Sequence, residues 1–158
     1  MSHNTFLFSL QVPFFMCGII GVFGKDAADK VVQGLEILRN RGKDGFGVCN
    51  ERKTVYSKKL PELDRSQDAI GHCLHSVVGH VKQPLVGKGR FVSNCEIYNW
   101  KELAQIYSID AKNDSELLFE LLETMDVTDF IEELDGVFAF CYWRDDRVVL
   151  ARDILGVK

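Results

Sequence analysis

The sequence predicts one α+β domain, and three observations carry this prediction. Its 158 residues fall in the usual range of a single domain that can bury a sizeable core. Segments with the period of a strand and segments with the period of a helix alternate along the chain, without internal repeats or low-complexity linkers. The last two β segments are predicted to pair as a hairpin, so the sheet is antiparallel at least in part. Helices and antiparallel strands in this mixture form layered α+β domains.

The first half of the chain is predicted to contain one helix among several strands. Residues 18–24 are predicted to form a buried strand, because an apolar run is bounded by glycine at both ends. Asp26 is placed to cap a helix that ends before Gly42. The apolar stripe of this helix is Ala28, Val31, Val32, Leu35 and Leu38. Further strands are predicted at about 46–50, 53–58 and 69–78.

The second half is predicted to add a strand, a helix and a hairpin. A strand runs from Arg90 to Ile97. A helix begins near Asp114, with Asn113 or Asp114 as its cap and Glu116 at the spacing of a capping box from Asn113. It buries Leu117, Leu118, Leu121 and Leu122. The hairpin pairs Val137–Trp143 with Val148–Arg152 around a charged turn.

Composition excludes several classes of protein. Apolar residues at 46% and charged residues at 27% are ordinary for a soluble globular domain. A net charge of −4 gives no electrostatic footprint for nucleic acid or for an anionic membrane, so neither partner is expected. The five cysteines are odd in number and lack the spacing of metal ligands. We therefore expect reduced thiols, a cytoplasmic location and no metal site.

Residues 1–16 differ from the rest of the chain. They are rich in Phe and Leu, but no Lys or Arg precedes the apolar part and no small-residue cleavage site follows it. The stretch is also shorter than the roughly 20 apolar residues that a membrane-spanning helix needs. Three readings stay open: a misassigned start with Met16 as the initiator, a cleaved propeptide, or a retained arm.

Cys17 follows Met16, and this position has chemical consequences. If Cys17 were the first residue, it would carry both a thiol nucleophile and a free α-amine. The unperturbed pKa of an α-amine is about 7.7–8.0 and that of a thiol about 8.5, so the amine can accept the thiol proton near neutrality. One residue would then supply both nucleophile and base. A retained arm would remove the base and leave the chain inactive.

Six segments, in order along the chain, contain motifs of one protein family: Met16–Gly24, Arg41–Gly45, Ser93–Asn99, Asn113–Glu116, Leu134–Phe140 and Ala151–Lys158. Together they resemble the glutaminase domain of class II glutamine amidotransferases. The resemblance covers roughly residues 16 to 158, and the sequence Glu-Ile-Tyr-Asn at residues 96–99 favours the asparagine synthetase branch. It implies the four-layer αββα sandwich of N-terminal-nucleophile hydrolases, truncated at the C-terminal end. Residues 17–158 would then form an incomplete glutaminase domain with no synthetase domain.

The resemblance also implies roles for individual residues. Cys17 would be the nucleophile, while the side-chain amide of Asn94 and the backbone N–H of Cys95 would hold the oxyanion. Asp114 and Glu96 would bind substrate, with the Asp114 carboxylate gripping the α-ammonium of glutamine. Cys95 stands where the family has glycine, which is harmless only if the position does not require positive φ.

Position 74 is the most serious departure from the family. The family has an arginine there that clamps the α-carboxylate of glutamine, whereas this chain has Leu74. An aliphatic side chain cannot form the bidentate, charge-assisted pair. His75 is expected to face away from the Leu74 side of the strand. His72, His80 or Lys82 could compensate, and the sequence selects none of them.

The implied reaction is hydrolysis of L-glutamine to glutamate and ammonia through a cysteine thioester. No metal or cofactor is expected in this domain, because ATP and Mg²⁺ belong to the missing synthetase domain. The implied partner is an ATP-dependent synthetase domain or subunit that uses the ammonia for asparagine biosynthesis. The alternative is a catalytically inactive binding or regulatory module, or a fragment, on the same fold.

Overall fold

The computed structural model describes residues 17–75 and 81–158, which form two four-stranded antiparallel sheets and three α-helices. The predicted arm at residues 1–16, His80 and the end of the predicted strand 69–78 lie outside the described residues. The strands are Gly18–Phe23 (β1), Gly45–Asn50 (β2), Thr54–Ser57 (β3), Asp68–Leu74 (β4), Leu85–Val86 (β5), Arg90–Ile97 (β6), Gly136–Arg144 (β7) and Arg147–Arg152 (β8). The helices are Ala27–Leu38 (α1), Trp100–Ile106 (α2) and Asp114–Thr124 (α3), with single 3-10 turns at Val127–Asp129 and Ile131–Glu133.

Three apolar clusters show that the elements form four layers. The first sheet has the strand order β1-β4-β2-β3, and the second has the order β5-β6-β7-β8. The cluster between α1 and the first sheet contains Ala27, Val31, Leu35, Val48, Ala69 and Cys73. The cluster between the two sheets contains Cys49, Ile70, Val92, Cys141 and Trp143. The largest cluster joins the second sheet to α2 and α3 through Phe91, Ile97, Leu103, Leu117, Leu118, Leu121, Phe138 and Phe140.

Helix, sheet, sheet and helix therefore stack in that order, which confirms the predicted α+β class. Each large side chain that is fully buried in these clusters contributes about 1.5–3 kcal/mol to the free energy of unfolding. Within the described residues, the structure contains no helix that is both long and apolar enough to cross a membrane.

Most predicted elements form, with small shifts at their ends. The strand predicted from Arg90 to Ile97 is β6, and the helix predicted near Asp114 is α3. The cap predicted for the first helix is wrong. Asp26 does occupy the N-cap position, but it has a left-handed backbone with φ 60° and its side chain accepts no hydrogen bond from the helix. The main chain at Asp26 instead accepts the amide of Lys30 at 3.1 Å.

The two sheets are joined at one end by a side chain of β6. The Arg90 guanidinium donates to the carbonyls of Asn50 and Glu51 at 2.9 and 2.6 Å, which ties the end of β2 to the start of β6. Because β2 and β4 run antiparallel, the opposite end of the first sheet carries Leu74. The opposite end of β6 carries the segment that follows Ser93.

Candidate functional site

Cys17 lies directly before β1, half-buried against the residue that follows β4. The His75 amide donates to Cys17 Sγ at 3.3 Å, and the thiol donates to the His75 carbonyl at 3.5 Å. The pairing of Gly18 with Cys73 produces this contact, because it brings the residue before β1 beside the end of β4. The backbone at His75 therefore holds the sulfur.

The surroundings of Cys17 disfavour its thiolate. Burial raises the pKa of the Cys17 thiol, and the His75 backbone hydrogen bond, the Cys17 backbone and the charge of Lys158 only partly oppose this. The nearby Asp44 carboxylate adds a small further increase in that pKa. A thiol in this setting is protonated at neutral pH and needs a base when it attacks.

Asn94 lies on the face of β6 that looks toward the first sheet. Side chains alternate along a strand, and Val92, two residues earlier, belongs to the cluster between the sheets. Asn94 is half-buried. Two nearby residues of β6 are related to the first sheet and to Cys17. The Ser93 backbone, which precedes Asn94, lies near His72 on β4, and Glu96, two residues after Asn94, is paired with Lys158, whose charge acts on Cys17.

The backbone amide of Cys95 points to the edge of β6 that faces away from β7. Cys95 stands opposite Phe138 on β7, but the N–H and C=O of Phe138 are both directed to Asp153, at 3.3 and 2.8 Å. The pair is therefore not joined by hydrogen bonds, and the Cys95 N–H is directed away from β7. Among the described non-glycine residues, positive φ occurs only at Asp26, Ser108 and Asp145. The cysteine at position 95 therefore introduces no backbone strain.

Asp114 and Glu96, predicted to bind substrate, both have protein partners. One carboxylate oxygen of Asp114 accepts the Ile97 amide at 3.1 Å, and the other accepts the amide of the next residue, Ser115, at 2.8 Å. Asp114 thus links the end of β6 to the start of α3. Glu96 is exposed and forms an ion pair of 2.9 Å with the ammonium of Lys158.

Lys158 lies beside two of the predicted site residues but was not predicted from the sequence. Its side chain is only 4% exposed, and it lies near both Glu96 and Cys17. Asp153 holds it there, because the two oxygens of this carboxylate accept the amides of Val157 and Lys158 at 2.8 and 3.1 Å. The backbone hydrogen bond from Val157 is the main reason why the pKa of Asp153 is lowered. A buried acid with several amide partners was not visible in the sequence pattern.

Of the residues considered as replacements for the arginine at position 74, the structure describes His72 and Lys82, whereas His80 lies outside the described residues. His72 is buried, and burial lowers its pKa to about 4, so it is neutral at pH 7. His75 holds Cys17 through its backbone, and its imidazole lies 3.8 Å from the Asp44 carboxylate. The Lys82 ammonium lies 6.0 Å from the ring centre of Tyr56. Leu74 itself is half-buried at the end of β4.

The comparisons with known proteins agree on one family. The model of the glutamine amidotransferase domain matches residues 16–158. Asparagine synthetase 1 (glutamine-hydrolyzing) of Arabidopsis thaliana is 31% identical over 156 residues, which is 90% of this chain and 24% of that protein. The chloroplastic amidophosphoribosyltransferase of Vigna aconitifolia is 27% identical over 173 residues, which is 87% of this chain and 36% of that protein.

A solved structure shows the same fold. The glutamine phosphoribosylpyrophosphate amidotransferase from B. subtilis superposes with a TM-score of 0.71 and 19% identity, covering 89% of this chain and 38% of that chain. This chain spans well under half the length of each relative. The fold is that of the N-terminal-nucleophile hydrolases, as expected. The match over residues 16–158, together with these relatives, shows that the chain belongs to the class II glutamine amidotransferase family.

Proposed function

We propose that this domain hydrolyses L-glutamine to glutamate and ammonia, and that the ammonia serves asparagine formation. The observation that carries the first part is the position of Cys17, whose sulfur is held by the His75 backbone directly after β4 and lies near the charge of Lys158. The second part rests on the similarity to asparagine synthetases. The acceptor of the ammonia would be an ATP-dependent synthetase domain or subunit.

The reaction begins with a proton transfer within one residue. When Cys17 is the first residue, its α-amine takes the thiol proton, and the thiolate attacks the carboxamide carbon of glutamine. The oxyanion that forms is held by the Asn94 side-chain amide and the Cys95 N–H. A preorganised donor of this kind lowers the barrier by roughly 3–4 kcal/mol. The protonated amine then returns its proton to the departing ammonia, which leaves a γ-glutamyl thioester.

Water completes the cycle by hydrolysing the thioester to glutamate and the free thiol, with the same amine as base. Asp114 binds the α-ammonium of glutamine, and Glu96 lies at the same end of β6. No metal or organic cofactor takes part in these steps. ATP and Mg²⁺ belong to the synthetase partner.

A catalytically inactive binding module is the second candidate, and Leu74 is the observation that favours it. Without an arginine there, the α-carboxylate of glutamine loses its bidentate partner. The two candidates differ in whether Cys17 reacts, and this difference can be measured directly.

The test compares the full chain with the same chain started at Met16. Mass spectrometry gives the mature N-terminus, a coupled assay gives ammonia release, and a glutamine-mimicking diazo ketone labels the nucleophile. We expect release and labelling in the form that begins at Cys17, loss of both in Cys17→Ala, and retention of both in Cys73→Ala. A form that begins at Cys17 and shows neither labelling nor ammonia release contradicts the proposal and supports the inactive module.

The acceptor is tested separately. An asparagine synthetase with an inactivated glutaminase nucleophile is supplied with aspartate, MgATP and glutamine. We expect the domain to restore asparagine formation from glutamine. If only an amidophosphoribosyltransferase with the equivalent defect is restored, the asparagine assignment is wrong.

A further inference from the structure

Along the edge of β6 that faces away from β7, backbone amides donate mainly to side chains and not to the backbone of a neighbouring strand. The neighbouring strand β5 has only two residues, which pair with Arg90 and Phe91. Farther along this edge, the Ser93 amide donates to Gln83 Oε1 at 2.6 Å, and the Ile97 amide donates to Asp114 Oδ2 at 3.1 Å. Both acceptors occupy positions that carbonyls of an adjacent strand would otherwise take.

The Cys95 amide lies between these two hydrogen bonds. It is the edge donor that follows Ser93 and precedes Ile97, and it has no hydrogen-bond partner in the described part of the chain. The Cys95 amide is thus a backbone donor without an acceptor, located between two amides that donate to side chains and next to Asn94. This is the amide to which the proposed mechanism assigns the oxyanion.

Gln83 is held firmly in the position that it needs. Only 6% of it is exposed. Gly47 on β2 admits its backbone, since a Cβ added at Gly47 would overlap the Gln83 carbonyl. The Tyr56 hydroxyl donates to the carbonyl of the next residue, Pro84, at 2.6 Å. The backbone at Gln83 and Pro84 is therefore packed against the first sheet.

The other end of the Gln83 amide reaches α3. Gln83 Nε2 donates to Ser115 Oγ at 3.5 Å, and the Ser93 hydroxyl donates to Ser115 Oγ at 3.1 Å. The Cys95 thiol joins the same group, 3.4 Å from Ser93 Oγ and 3.3 Å from Ser115 Oγ. The side chain at position 95 is thus connected to Gln83 through Ser93 and Ser115.

We propose that Gln83 is a positioning residue that stands in for a neighbouring strand and orients the Cys95 amide toward the oxyanion. The proposal rests on the glutaminase function proposed above. Without the Gln83 oxygen, the Ser93 amide would be buried without an acceptor. We expect the edge of β6 to shift until the Ser93 amide reaches another acceptor. The Cys95 amide would then no longer point toward the oxyanion.

The kinetic test uses Gln83→Met, which has a similar size but no acceptor, and Gln83→Glu, which keeps an oxygen. For Gln83→Met we expect kcat for glutamine to fall about 10- to 100-fold, less than the 10²–10³-fold typical when an oxyanion donor is removed outright. KM should change less than about threefold, because the amide acts in the transition state. Gln83→Glu should recover most of kcat.

Alkylation of Cys17 by iodoacetamide separates positioning from general damage. This displacement at carbon develops no oxyanion, so its rate at Cys17 should stay within about twofold in Gln83→Met. Asn94→Ala serves as the matched control and should show the same pattern. A Gln83→Met protein that loses both reactions to the same extent, or that keeps full kcat, overturns the proposal.

Amide hydrogen exchange gives a readout that does not depend on activity. In the full chain we expect the Ser93 amide to be protected, and in Gln83→Met to exchange at least about tenfold faster, with a shifted Cys95 amide resonance. If wild-type protein hydrolyses no glutamine but shows these changes, the proposed function fails and the positioning of the amide stands. If neither amide responds to Gln83→Met, the positioning is wrong even when glutamine is hydrolysed.

Discussion

Position 74 is where the family resemblance leads us to expect the contact with the substrate carboxylate. Leu74 lies half-buried at the end of β4 and offers no charge. Leu74→Arg would add a planar set of donors at the same place. We expect KM for glutamine to fall about tenfold, or about 1.4 kcal/mol, with kcat nearly unchanged, because the carboxylate is bound equally in ground and transition states.

Steady-state ammonia release measures both constants for this variant. Leu74→Met has a similar volume without charge and should leave KM unaltered. If Leu74→Arg also leaves KM unaltered, the substrate carboxylate binds at another place in the protein.

The Asp114 carboxylate has a structural role that is visible and a substrate role that is proposed. Asp114→Asn keeps an oxygen for the Ile97 amide but removes the charge. We expect KM for glutamine to rise about 10- to 100-fold, since an ammonium group loses its charged partner. The free energy of unfolding should fall by at most about 1 kcal/mol, the usual contribution of an acid at a helix N-terminus.

Glu116→Gln is the matched control for this substitution. Glu116 is also in the first turn of α3, where its carboxylate accepts the Lys112 amide at 2.9 Å. It should lose similar stability without a change in KM. If the Asp114→Asn protein has the KM of wild type, Asp114 does not bind the substrate ammonium and has only a structural role.

Single residues differ in how far the sequence could identify them. Cys17 and Asn94 could be predicted as site residues because they lie in segments that resemble a family. The role of His75 could not, because its backbone and not its imidazole contacts the sulfur. Gln83 was equally invisible, since its partner Ser93 belongs to a strand that only the fold brings beside it. Backbone donors and side chains that replace a strand leave no characteristic pattern in a sequence.

At the scale of the element, the start of α3 is the feature with the clearest energetic consequence. The Asn113 side chain accepts the Glu116 amide at 2.9 Å, as predicted for an N-cap. The Glu116 carboxylate, however, reaches the Lys112 amide and not that of Asn113, so the predicted capping box is shifted by one residue. Asn113→Ala should lower the free energy of unfolding by about 1 kcal/mol, within the 0.5–2 kcal/mol range of such caps.

Urea unfolding with an unchanged m-value would measure this loss. Asn113→Asp retains the side-chain oxygen and should keep nearly the stability of wild type. Equal losses in both variants would mean that the cap hydrogen bond is not the source of the effect.

The elements that the sequence did not predict are the short ones. The strand β5 has two residues, and α2 has seven residues with no side-chain hydrogen bond at its N-cap. Periodicity needs a longer window than either provides. The amphipathic α1 could be placed because its apolar residues recur at helical spacing over 12 residues, and β6, with eight residues, is long enough to be recognised.

At the scale of the whole molecule, the order of the layers followed from the family resemblance and not from periodicity. The apolar stripe of α1 shows that one face is buried, but it does not say which sheet covers it. That information lies in contacts between distant segments, such as Cys49 and Ile70 with Val92 on β6. The same packing places several thiols where water cannot reach them, which has a consequence for stability at high pH.

The buried thiols predict a loss of stability in alkali. Burial raises the pKa of Cys95 and of Cys141 to about 12, so the folded protein keeps their protons well above the pH at which an unfolded chain releases them, about 9. Between these values the unfolded state binds fewer protons, and the free energy of unfolding falls as pH rises, by up to about 1.4 kcal/mol per pH unit for each group. Urea unfolding at several pH values from about 8 to 11, under reducing conditions, measures the slope. Cys141→Ala is less stable at every pH because it leaves a cavity, but its slope should be shallower than that of wild type. Parallel slopes would show that Cys141, only 3% exposed in this structure, does not retain its proton in the folded state.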